Sequence, residues 1–148
     1  MCIRDRYQVF VSSPYRDLIE ERLAVVWKIL AEGHIPAGME MYPATDDRGW
    51  KIIQQTIDAS DYYVVIVGGM YGSVREDTGK SWTEEEYEYA RATGKTILAF
   101  PREPSHITVP NAESQADRIA KHRDFVNRLL ETHHCKRCLL YTSDAADE

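Results

Sequence analysis

The chain of 148 residues predicts an α/β domain built on a parallel sheet with helices on its faces. Three observations carry this. Short apolar segments rich in β-branched residues alternate with longer segments of helical periodicity, the pattern of repeated strand–helix–strand units. The segment Tyr62–Val67 (YYVVIV) is apolar throughout, as a strand covered on both faces must be. Glycines follow that strand and an acidic helix start follows the glycines, from Asp61 to Gly94. In such sheets the loops at the carboxyl ends of the strands are where ligands bind.

The ends come first because they bias the composition. Met1–Arg6 (MCIRDR) and Cys138–Glu148 (CLLYTSDAADE) resemble translated sequencing-adapter DNA, a transposon end read on opposite strands. They are set aside from fold reasoning, leaving residues 7–137 as one domain, read as a gene fragment. The formal charge is −6; Arg4, Asp5 and Arg6 contribute +1, and Asp144, Asp147 and Glu148 contribute −3, so the remainder carries −4. A mildly acidic domain is a poor candidate for nucleic-acid binding. Cys135 is the one cysteine outside the end segments, which suits a reducing, cytoplasmic setting without structural disulfides. No apolar run approaches the ~18 residues of a membrane span. His133, His134, Cys135 and Cys138 crowd together, but one of these cysteines belongs to an end segment, so a solvated chain end is expected and no metal site.

In chain order, Tyr7–Ser12 (YQVFVS) reads as the first strand. Ser13-Pro14 supplies a cap and a proline at the first helical position, and the helix runs to about Glu32. Its apolar spacing comes from Leu18, Val25, Val26, Ile29 and Leu30, with Arg22 among them, and Gly33 stops it. His34–Glu40 is a weaker strand whose Pro36 points to an edge. The loop Met41–Gly49 brings Tyr42, Asp46 and Asp47, and a helix of about Trp50–Ala59 turns Ile52, Ile53 and Ile57 inward. After the central strand, Gly68 and Gly69 allow a tight turn and close backbone approach. Thr83, Tyr87, Ala90 and Gly94 share one stripe of the next helix, Lys95–Phe100 is a fourth strand, and residues 102–111 form a loop. Ala112–His133 is the last helix, with Ile119, Phe125, Val126, Leu129 and Leu130 apolar. His134–Arg137 could open a fifth strand.

Several motifs fail on inspection. Gly79-Lys80-Ser81 ends like a phosphate-binding loop, but Val74 stands where that loop needs glycine. The spacing of Gly68, Gly69 and Gly72 is not that of a dinucleotide fingerprint, and no serine elbow or paired-histidine metal helix occurs. Glu84, Glu85 and Glu86 favour a helix start by charge alone. Ser81-x-x-Glu84 and Thr83-x-x-Glu86 are both capping-box patterns. If Ser81 caps, Glu86 is left at the pocket edge; if Thr83 caps, Glu86 is structural.

The blocks VFVSSPYRDLIEERLAV, GHIPAGMEMYPATDD, DYYVVIVGGMYGS and SWTEEEYEYA with GKTILAF resemble domain of unknown function 4062 over nearly all of residues 7–100. That family resembles TIR domains. The resemblance implies a flavodoxin-like parallel sheet, here cut after the fourth strand and following helix, at the N-terminus of a larger signalling or defence protein. In TIR enzymes a tryptophan followed four residues later by a glutamate marks the NAD-cleaving site, matched by Trp82 and Glu86. Nucleoside deoxyribosyltransferases show a similar pattern, matched by Thr83, Glu86, Ala90, Gly94 and Lys95.

Both resemblances select Glu86 as the catalytic residue. A carboxylate beneath a sugar ring stabilises the positive charge of N-glycosidic cleavage or traps it covalently. Ser12, Ser13 and Asp17 are candidates to bind ribose or phosphate, and Tyr71 and Trp82 to stack a base. Tyr42, Asp46 and Gly69 stand at the same edge as further substrate contacts. NAD enters as a substrate, with no cofactor. The alternatives are a non-catalytic interaction module that self-associates and a nucleoside deoxyribosyl transferase. Downstream domains and a second copy of the chain are the expected partners, with no nucleic acid and no membrane.

Overall fold

The computed structural model describes residues 6–38 and 47–133, apart from the side chains of 47 and 48. Four strands form one parallel sheet: β1 (Gln8–Ser12), β2 (Ile35–Gly38), β3 (Tyr62–Val67) and β4 (Thr96–Pro101), in the order β2-β1-β3-β4. This is the start of the flavodoxin-type order, in which the connection reverses direction between β1 and β3. β1 and β3 are flanked on both sides, with Val9 opposite Tyr62 and Ser12 opposite Val65. β2 is an edge strand, as Pro36 required, because proline cannot donate to a second neighbour.

Helices α1 (Ile19–Ala31), α2 (Asp47–Ala59), α3 (Trp82–Ala92) and α4 (Ala116–Thr132) alternate with the strands. The period of two along each strand sends side chains to opposite faces. Phe10, Tyr63, Val65, Val67 and Ala99 pack with Ile53 and Ile57 of α2, Tyr87 and Ala90 of α3, and Phe125 and Leu129 of α4. Val9, Val11, Val64 and Ile66 pack with Leu18, Val25 and Ile29. Full burial of a side chain of this size contributes roughly 1.5–3 kcal/mol, so both faces hold the sheet in place.

The elements depart from the sequence expectation where a side chain found a better partner. α1 begins at Ile19, not at Pro14, because Asp17 turns back to the loop after β3 and Leu18 N–H bonds Tyr15 O, leaving no side-chain cap. α2 buries Ile53 and Ile57 but leaves Ile52 exposed, since Trp50, Ile53 and Ile57 define its inner face. Gly94 is not part of the buried stripe of α3. It is exposed with φ +74° and ends the helix, which is the conformation glycine adopts there without strain. In α4, Ile119 faces solvent. α1 is apolar on two sides: Val25 and Ile29 face the sheet, while Ile19, Leu23, Trp27 and Leu30 stay exposed. Residues 102–111 contain two short 3-10 turns, Pro104–His106 and Val109–Asn111. The anticipated fifth strand at 134–137 and the histidine–cysteine run beyond His133 lie outside the described residues.

Candidate functional site at the carboxyl edge of the sheet

The helix-capping alternatives resolve in favour of Ser81. Its hydroxyl accepts from Glu84 N–H at 3.1 Å, and its backbone is extended, as a helix cap requires. Glu84 is then spent on structure. It is buried, its carboxylate pairs with Arg128 of α4 and accepts from the Tyr71 hydroxyl. Burial and then this carboxylate push the Tyr71 hydroxyl up to about 12.

Glu86 is therefore left to the sheet edge. The last residue of β1, Ser12, donates its hydroxyl to Glu86 Oε2 at 2.5 Å. Burial drives the Glu86 carboxyl up to about 7, against the opposing effects of the Ser12 hydroxyl and of Arg22. The residue keeps some exposure, so the desolvation is concentrated around its acid group. Next along the chain, Ser13 accepts from Arg22 Nη1 at 3.1 Å, and both are buried. Consecutive serines thus link an α3 acid on one side of the sheet to an α1 cation on the other. The Tyr63 hydroxyl lies wholly buried without a hydrogen-bond partner among the described residues. Burial first and the charge of Glu86 second hold that phenol well above its ordinary value. Near neutral pH such a carboxyl exists in both protonation states, the requirement for exchanging a proton with a reacting group.

The other candidates divide. Asp17 lies under the loop after β3, where its Oδ2 accepts from Gly69 N–H at 3.0 Å and Met70 N–H at 3.2 Å, while Oδ1 is buried without a partner among the described residues. Burial outweighs these N–H groups and raises its pKa. Gly68 and Gly69 are glycines for close approach: a Cβ on Gly68 would stand 2.4 Å from Asp17 Oδ2, and one on Gly69 2.2 Å from Asn111 O. Gly69 N–H is committed to Asp17 and its carbonyl to Glu113 N–H, so its backbone is occupied within the protein. Tyr71 is a core residue, not an open stacking platform, because its ring is buried and its hydroxyl bound. Trp82 is half-buried beside Trp50, with the Arg75 guanidinium 5.0 Å from its ring centroid and 5.1 Å from that of Trp50. This contact holds the 72–81 loop, in which Val74 bridges Ser81 and Arg75 N–H bonds Lys80 O. Tyr42 and Asp46 lie outside the described residues.

Arg22 and Tyr63 are the site residues that sequence reasoning missed as such. The signal for Arg22 was a charge at a core-facing position among Leu18, Val25 and Ile29. Tyr63 gave none, since a tyrosine in a buried strand reads as bulk. Among the described residues no group of three or more histidine, cysteine or acidic side chains is placed to hold a metal ion. No described helix is long and apolar enough to cross a membrane.

The sequence pattern of the family described as "Domain of unknown function (DUF4062)" matches residues 8–144. The chain belongs to this family. The family assignment and the four-stranded parallel sheet agree with what the sequence blocks implied. Among solved structures, the chain is similar to the "Crystal Structure of a prokaryotic SEFIR domain", with a TM-score of 0.47 and 15% identity, over 83% of this chain and 97% of that one. No curated protein matches it.

Proposed function

We propose that this DUF4062 domain is a TIR-like effector or adaptor of a larger signalling protein, and that it cleaves the N-ribosyl bond of NAD or a related nucleotide at Glu86. The observation that carries the chemistry is the desolvated Glu86 carboxyl at the sheet's carboxyl edge, held by Ser12 and titrating near 7. Cleavage breaks the C1′–N bond, the electron pair leaves with the nitrogen base, and positive charge develops on the ribose. Ionised Glu86 stabilises that charge. Water then forms the new C1′–O bond and gives its proton to the carboxylate. Ser12 sets the direction of the Glu86 carboxylate, and Arg22 favours its ionised form through space.

The test is NAD loss with nicotinamide release by the chain, dispersed and fused to an oligomerising scaffold, with Glu86→Gln alongside at equal folded concentration. Turnover in the parent that disappears in Glu86→Gln supports the reading. Absence of turnover in both states refutes it and leaves nucleosides as the next substrates to try.

A second reading has its own observation. Ile19, Leu23, Trp27 and Leu30 form an exposed apolar stripe on α1, with Trp27 69% exposed. Contiguous apolar surface of this kind marks interaction sites, which favours a non-catalytic adaptor that associates through its helices. In that case Glu86→Gln leaves association intact, whereas Trp27→Glu abolishes it.

A further inference from the structure

Two arginines at the carboxyl edge of the sheet stand without an ion-pair partner among the described residues. Arg16 in the β1–α1 loop and Arg118 in the first turn of α4 both line a cavity of about 500 Å³. Neither makes an ion pair or side-chain hydrogen bond among the described residues. Of the neighbouring acids, Glu20 lines the second cavity beside Arg16, and the other three are committed elsewhere. Glu21 meets Arg102 at 3.3 Å, and Glu113 accepts from the N–H groups of Tyr71, Ser114 and Gln115. Asp17 serves Gly69 and Met70.

Three further features converge on the same place. Gln115 gives this 17-residue helix no side-chain cap, and a helix N-terminus favours anions. A second cavity of about 370 Å³ shares Arg16 and Asp17 with the first and is also lined by Arg102. The Arg102 side chain is 8% exposed, and its Nε is a buried donor without a partner among the described residues. The first cavity begins at Pro14, two residues beyond the Ser12 that holds Glu86.

The geometry points to a phosphate subsite: the cavity between the β1–α1 loop, the loop after β3 and the start of α4 takes the phosphates of a nucleotide, with Arg16 and Arg118 as its cationic walls. This rests on the nucleotide reading of Glu86 and extends it to how the substrate is gripped. Arginine suits the task because its planar fork meets phosphate oxygens in pairs.

The experiment measures binding of ADP-ribose, inorganic pyrophosphate and adenosine to the chain by calorimetry at low and moderate salt. Parent, Arg16→Gln/Arg118→Gln and Glu86→Gln are compared. ADP-ribose and pyrophosphate should compete for one site, weaken with salt, and lose roughly tenfold or more in affinity in the double arginine variant. Adenosine should bind much more weakly. Since neither arginine has a side-chain partner among the described residues, the double variant should keep the parent's melting temperature, so lost affinity is not lost fold. Unchanged ADP-ribose affinity in the double variant, adenosine binding as tightly as ADP-ribose, or no binding of either phosphate compound each overturns the subsite. Binding lost in the arginine variant while the parent shows no NAD turnover upholds the subsite and refutes the cleavage. Turnover with an unaltered KM in the arginine variant does the reverse.

Discussion

Replacing Glu86 with glutamine should make the protein more stable at neutral pH, and the gain should vanish in mild acid. The carboxyl titrates at about 7 in the fold against an ordinary value of 4.5, chiefly because it is buried. An acid whose pKa is raised by folding binds more protons folded than unfolded. Stability is therefore undiminished below about pH 4.5 and falls as pH rises toward 7, where the folded carboxyl must ionise inside the protein. A shift of this size corresponds to about 3 kcal/mol, reduced to about 2 kcal/mol by the partial exposure of the residue and the screening that goes with it. Glutamine keeps the shape and an oxygen for the Ser12 hydroxyl but has no charge to bury. Urea or thermal unfolding of parent and Glu86→Gln between pH 5 and 8 should thus give curves that meet near pH 5 and separate by about 2 kcal/mol at pH 8, or roughly 4–8 °C in Tm for a domain of this size. Parallel curves, or a glutamine variant that is the less stable at pH 8, would show that Glu86 is an ordinary structural acid. A stabilising loss of a carboxylate is the expected signature of a group kept for chemistry at a cost in stability.

Three other outcomes follow from particular contacts. Ser12→Ala removes the hydroxyl that favours ionised Glu86, so the Glu86 carboxyl, followed by carbon-detected NMR titration, should move above its parent midpoint; a downward shift would reverse the assigned role. Ser81→Ala deletes the cap on Glu84 N–H and should cost about 1 kcal/mol in urea unfolding, whereas Thr83→Ala should lack this capping loss. Gly69→Ala drives a methyl toward Asn111 O and Ile107 Cγ2, at 2.2 and 2.5 Å, and should destabilise by roughly 1–3 kcal/mol. A neutral result by thermal melt would mean that the 107–111 turn is free to move away.

The sheet and its order of elements were legible from local chemistry alone. Tyr62–Val67 needed no context, because an uninterrupted run of aromatic and β-branched residues flanked by polar residues and glycine has few other uses. Pro36 announced an edge, since a residue without an N–H cannot pair on both sides. The glycines at 68 and 69 announced close approach, though not what approached: Asp17 and the 107–111 turn come from remote parts of the chain. Glu86 could be singled out among its neighbours but not assigned, because two capping boxes compete on spacing and only geometry chooses between them.

What only the tertiary structure decided is which polar groups lose water and which partner they find. Glu84 and Glu86 stand two residues apart on one helix, yet α4 brings Arg128 to the first and β1 brings a serine hydroxyl to the second. One becomes a part-buried ion pair and the other a carboxyl that titrates near neutral pH. Tyr71 passes from stacking candidate to core for the same reason, since its hydroxyl finds Glu84 inside the protein. The sequence by itself determined the periodicities, the turns and the membership of the chain in its family, all of which depend on near neighbours. Desolvation and pairing depend on atoms dozens of residues apart, so the character of Glu86 exists only once β1 and α3 have met.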